Sequence, residues 1–188
     1  MKLAKNFGVK TWVDYDDDLF SVPDYNPTKA FYGKKEVRQS IIKALEMADV
    51  VTVATQAIKD VYSKYNNNIH VVPNAFNNYN YSLHVEPSKS NIISWRGSQT
   101  HRGDIIPVTR EIVRLSKEYA GKWFWSFVAK DPWFLTDYME PGSFTVADEM
   151  QLPNYMAFMR KTSPAILVYP LEMNTFNASK SNCAWLEA

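Results

Sequence analysis

Residues 165–170 read AILVYP, followed by LEMNTFNASK at 171–180 and SNCAWLEA at 181–188. An apolar run of strand length stops at Pro170 and a polar loop follows. The spacing then predicts a helix with Ser179, Lys180 and Ser181 in its first turn and Glu187 two turns later. In open α/β sheets, ligands collect beyond the carboxyl ends of strands, where helix N-termini present free N–H groups. Such a helix start favours an anion by about 0.3–1 kcal/mol before any side chain is counted. Lys180 adds a full positive charge there. The stretch is therefore expected to form a phosphate site with a polar group two turns along.

Upstream, the same alternation of strand and helix repeats. NIISW (91–95) reads as a strand that runs into Arg96-Gly97-Ser98, and Ile105, Val108, Ile112 and Leu115 mark one face of a long helix. WFWSFVA (123–129) and SFTVA (143–147) are further strands. Between them, Asp131-Pro132 predicts a cap and first-turn proline for a short helix. Leu152, Tyr155, Met156 and Met159 stripe another helix before the run at 165–169. Nearer the N-terminus, KTWVDY (10–15), VVTVA (50–54) and IHVVP (69–73) read as strands. Helices are expected at 36–48 and from the cap Thr55 to about Tyr65. Between Asn74 and Ser90 the composition shifts to Asn, Tyr, Ser, His and Pro with little periodicity, which predicts a linker. The expected architecture is α/β, two Rossmann-like βαβ units spanning 1–78 and 91–188 and joined at 79–90.

Composition narrows the function classes. Hydrophobic content of 46% is ample for a core and argues against disorder. A net charge of +1 gives no electrostatic case for nucleic acid or an anionic membrane as main partner. The single Cys183 excludes an internal disulfide framework and suits a reducing compartment. No apolar run approaches membrane-spanning length, and MKLAKNFGVK is too polar for a signal peptide. A cytoplasmic location is expected.

Arg96-Gly97-Ser98 lies at a strand end, where Arg96 offers a bidentate fork to a diphosphate and Gly97 admits close backbone approach. The plain alternative is a strand-to-helix turn with a solvated arginine. Two such loops at one sheet edge would let Arg96 and Lys180 clasp the same ligand, aided by backbone N–H groups at Gly97, Ser98 and Ser179 to Ser181. His101 is a candidate phosphate or sugar contact, and Asp104 reads as a helix-start carboxylate. Asp14, Asp16, Asp17 and Asp18 cluster at the first strand. Asp16 and Asp18 in Asp-x-Asp spacing could hold Mg²⁺ or Mn²⁺, but a structural or acceptor-side role is favoured and no metal is expected. Trp123, Phe124, Trp125 and Phe127 are expected in the core in preference to a sugar platform. Cys183 reads as a small buried residue and no nucleophile.

PLEMNTFNASKSNCAWLEA resembles the donor-site segment of GT-B-type nucleotide-sugar glycosyltransferases. GVKTWVDYDDDLFSVP, MADVVTVAT, IHVVPNAFN and IISWRGSQTHRGD resemble segments of that superfamily in the same order. The resemblance implies a GT-B-type fold whose N-terminal, acceptor-side unit is incomplete, so that the chain is a central piece or a reduced version. It implies a hexosyltransferase-type activity moving a sugar from a UDP- or GDP-sugar to a hydroxyl acceptor, with no other cofactor. Glu187 occupies the place of the second glutamate of the paired-glutamate motif and would hold the ribose, while Ser179 stands where the first glutamate is usual. Asn177 would contact phosphate or sugar, and Trp133 and Phe134 would lie near the base. The resemblance assigns no catalytic base. The alternative expectation is a non-catalytic binding or structural module derived from the same fold, and a partner chain that completes the fold is expected as a further partner.

Overall fold

The computed structural model describes residues 2–75 and 89–187, so most of the expected linker at 79–90 lies outside the described residues. Contacts divide the chain into two compact units: Met1–Ala75 with Met173–Cys183, and Phe76–Glu172 with Ala184–Ala188.

The first unit begins with the short helix α1 (Lys2–Asn6). Its strands β1 (Trp12–Tyr15), β2 (Val50–Val53) and β3 (Ile69–Val71) form a parallel sheet in that order. The helices are α2 (Lys29–Tyr32), α3 (Lys35–Met47) and α4 (Gln56–Tyr62). Ile41 and Leu45 are four residues apart on α3, so both fall on its inner face. With Ile58 and Tyr62 of α4 they bury one face of the sheet, where Val51, Val53 and Ile69 form the core and Val13 and Tyr15 pack against it. Each fully buried aliphatic side chain there contributes about 1.5–3 kcal/mol. Thr55 caps α4 as expected, its hydroxyl accepting the Ile58 N–H at 3.3 Å. The other sheet face presents Trp12, which is 70% exposed, beside Asp14 and Thr52. Thr52 accepts from the Trp12 indole at 2.8 Å and donates to the Asp14 carboxylate.

The second unit holds β4 (Ile92–Arg96), β5 (Phe124–Val128), β6 (Phe144–Ala147) and β7 (Ile166–Val168). All neighbours are parallel, in the order β6-β5-β4-β7. Trp125 and Phe127 point to one face, where they pack with Trp95 under α5 (Arg102–Ile105), α6 (Thr109–Glu118) and α7 (Trp133–Thr136). Val128 points to the other, against Tyr155, Met156 and Met159 of α8 (Leu152–Thr162). Helices on both faces explain why β4 and β5 are apolar runs and not alternating ones. The long helix expected through Ile105 to Leu115 is instead α5, a 3-10 turn and α6. Pro107 lacks the N–H that a continuous helix needs. Asp131 takes a left-handed φ of 45° and leaves the N-cap of α7 to Pro132, so the expected aspartate cap is corrected.

The chain then returns to the first unit. The single helix expected to start at Ser179 is instead two short ones, α9 (Thr175–Ala178) and α10 (Cys183–Glu187). Asn174 caps α9 by accepting the Asn177 N–H at 2.8 Å. Ser179 ends it, and Lys180 and Ser181 lie between the two helices. The sequence assigned 173–183 to the second unit, whereas its contacts belong to the first. The Thr55 hydroxyl donates to the Ser179 carbonyl at 2.8 Å, and the Asn74 amide donates to the Ser181 hydroxyl at 2.9 Å.

Candidate functional site

From β4 the chain steps outward to β5 and β6, then crosses back to lay β7 on the other side of β4. Strand order thus reverses between β4 and β7. In open α/β sheets, the crevice outside the carboxyl ends of the strands at such a reversal is where ligands bind. Arg96 is the last residue of β4, and Tyr169 directly follows β7. The Arg96 guanidinium carbon stands 5.6 Å from the Tyr169 ring centre and 5.5 Å from that of Tyr155 on α8. Rings at that distance attract the cation through their quadrupole and hold it at the carboxyl end of β4.

His101 and Asp104 follow the end of β4, in a 3-10 turn at Gln99–His101 and in α5. His101 Nδ1 is 2.9 Å from Asp104 Oδ2, and the aspartate side chain is 1% exposed. A carboxylate can only accept, so the imidazole carries its proton on Nδ1 and offers Nε2 as the second edge. Nε2 lies 3.4 Å from the Tyr169 hydroxyl. The other Asp104 oxygen accepts the Glu172 N–H at 3.0 Å, which ties the segment after β7 to α5. Asp104 therefore orients His101 and fastens the segment after β7 to α5. Asp104 also lies in the first turn of α5, as the sequence predicts. The i, i+3 spacing of His101 and Asp104 was the available signal for their pairing.

Gly97 has a different role from the one expected. Its N–H donates to the Val128 carbonyl at 3.1 Å, extending the β4–β5 ladder, so this group faces the sheet and not a ligand. A Cβ on Gly97 would lie 2.5 Å from Cζ2 of the Trp95 indole and 3.1 Å from the His101 Cβ. Glycine is thus required by packing. Ser98 is exposed and caps the 3-10 turn at Gln99–His101 by accepting the Thr100 N–H at 3.3 Å.

The remaining expected contacts fall in the first unit. Lys180 faces Asp17 at 3.5 Å and lies 4.5 Å from the Phe176 ring centre. Arg96 and Lys180 belong to different compact units. Ser179 is 1% exposed, and its hydroxyl donates to the Phe176 carbonyl at 2.7 Å. The Asn177 amide is buried and donates to the Tyr25 hydroxyl at 3.2 Å. Ser181 accepts from Asn74, as above. The side chain of Glu187 lies outside the described residues. Cys183 is half-buried, 3.4 Å from the Ser181 hydroxyl, and not the buried residue expected.

Asp16 is exposed, while Asp18 is fully buried and accepts the Phe20 N–H at 3.0 Å in a local turn. Among the described residues, no group of three or more His, Cys, Asp or Glu side chains could hold a metal ion. The Tyr62 hydroxyl donates to the Asp17 carbonyl and accepts the Leu19 N–H. Burial, with the field of the nearby aspartates, pushes the pKa of this phenol above its ordinary range. Trp125 and Phe127 are core residues, as expected. No helix among the described residues is long and apolar enough to cross a membrane. No family model and no curated protein sequence matches the chain.

Proposed function

We propose that the second unit binds a nucleotide-diphosphate sugar in the crevice beyond β4 and β7. The protein then acts as a GT-B-type, hexosyltransferase-like glycosyltransferase toward a hydroxyl acceptor. The observation that carries this reading is an arginine fork held between two tyrosine rings at the strand-order reversal. Arg96 neutralises charge that develops on the departing diphosphate, an interaction that strengthens as the sugar bond breaks. His101, its tautomer set by Asp104, supplies a fixed polar edge for a phosphate or sugar hydroxyl. The resemblance of the segments around Arg96 and 170–188 to donor-site sequences supports the same ligand class.

Calorimetric titration with UDP, GDP and their glucose and mannose conjugates tests the proposal, with sugar release and transfer followed by chromatography. Arg96→Ala should weaken diphosphate binding by about 10- to 150-fold, the equivalent of about 1.5–3 kcal/mol for a charged hydrogen bond, with the far-ultraviolet circular dichroism unchanged. Binding without turnover would identify a non-catalytic module of the same fold. Absence of binding to every nucleotide would overturn the proposal.

A further inference from the structure

We infer that the second unit also carries a groove for a small aromatic anion, apart from the crevice at Arg96. A cavity of about 610 Å³ opens among α5, α6 and α7. That volume lies in the usual range for small-molecule pockets. Arg102, Ile106, Arg110 and Val113 line one wall. They follow one another along α5, the 3-10 turn at Ile106–Val108 and α6, so cation and hydrocarbon alternate along this wall. Trp133 and Phe134 form the facing wall, and the Arg102 guanidinium carbon lies 5.2 and 5.4 Å from their ring centres. Ile106 and Trp133 remain 48% and 47% exposed.

The charge balance indicates what fits. On the same helix, Arg114 is bridged by both Glu111 and Glu118. Among the described residues, neither Arg102 nor Arg110 has a carboxylate within ion-pair distance. Among the described residues, two cations outside ion-pair distance of any carboxylate therefore border an apolar floor beside two aromatic rings. An aromatic ring bearing a phosphate, carboxylate or sulfonate satisfies both features: its body covers Ile106 and Val113 while its anion pairs with the guanidinium groups that border them. A neutral aromatic would leave the cations unanswered, and a bare anion would leave the hydrocarbon wet. Arg96, His101 and Tyr169 do not line this groove.

The test uses the whole chain and 1-naphthyl phosphate as probe, titrated by calorimetry beside uncharged 1-naphthol. Naphthyl phosphate should bind at one site and more tightly than naphthol. Arg102→Ala and Arg110→Ala should each weaken it by about 10-fold or more, the range for a charge-assisted hydrogen bond, and should leave naphthol affinity unchanged. Val113→Trp, which fills the groove without altering charge, should abolish binding of both probes. Arg96→Ala should have no effect, so failure of the diphosphate proposal leaves this one standing. Equal affinity for the two probes, or an unaltered phosphate affinity in the double arginine variant, would overturn it. Loss of binding in Arg96→Ala would place the probe in the crevice and overturn it equally.

Discussion

Replacing Asp104 by asparagine should invert the tautomer of His101. In the native protein, one Asp104 oxygen accepts the Glu172 N–H at 3.0 Å while the other faces His101 Nδ1 at 2.9 Å. Asparagine can keep the first bond through its carbonyl, but it then presents an NH₂ group to Nδ1. Two donors cannot share that separation, so the imidazole proton should move to Nε2 and turn toward the Tyr169 hydroxyl. A charged hydrogen bond, about 1.5–3 kcal/mol, is replaced by a neutral one of about 0.5–1.5 kcal/mol. The expected loss is about 1–2 kcal/mol. At about 4–8 °C per kcal/mol for a domain of this size, the melting temperature should fall by about 4–16 °C. Alanine, which removes both acceptors and strands two donors, should cost more. Long-range ¹H–¹⁵N correlation of the imidazole in alkaline buffer reads the tautomer directly. If Nδ1 remains the protonated nitrogen in Asp104→Asn, the carboxylate does not orient this ring and the account of the crevice fails.

Gly97→Ala should destabilise the second unit by about 1–3 kcal/mol, the usual cost of overpacking, because the new methyl meets a buried indole; thermal unfolding checks it. Thr55→Val removes both the α4 cap and the bond to the Ser179 carbonyl. A lower urea midpoint corresponding to about 1–3 kcal/mol is expected from those two losses. The Asp49 carboxyl is held below its ordinary range, first by the Thr11 N–H and then by the Thr11 hydroxyl. A depressed carboxyl stabilises the fold above its unfolded value, and that contribution disappears as pH falls through the lower folded value. Asp49→Asn should therefore lower the melting temperature at neutral pH and flatten its decline toward acid. An unchanged acid slope would show that the Thr11 bonds do not set it.

Strand positions were legible because a buried parallel strand has to be apolar through most of its length. WFWSFVA lies between helices, and VVTVA is buried from Val51 to Ala54 under the helices on one face of its sheet. Helix faces at Ile41 and Leu45 followed from their spacing alone. Two kinds of information were not local. Whether 173–183 packs on the strand before it or on α4 depends on hydroxyl and amide bonds such as Thr55 to Ser179, which leave no periodic trace. The role of Asp104 likewise depends on Glu172, sixty-eight positions away in sequence. Gly97 shows a third difficulty. A glycine after a strand invites a ligand, and only the position of the Trp95 ring shows that the space is already taken. Arg96 and His101 could be named from the sequence, but the strand order that places them at a reversal could not.

The Met173–Cys183 segment has a consequence for how the protein is made. The bonds that seat it on the first unit join residues 107 to 163 positions apart. Residues 2–75 are translated well before Met173–Cys183, so that unit cannot close its structure until the intervening second unit has been synthesised. Ring closure over so long a span grows only logarithmically in entropic cost, about 0.6 kcal/mol per doubling, so the final state tolerates it. The delay falls on the nascent chain, where residues 2–75 wait for the segment at 173–183 to complete their unit.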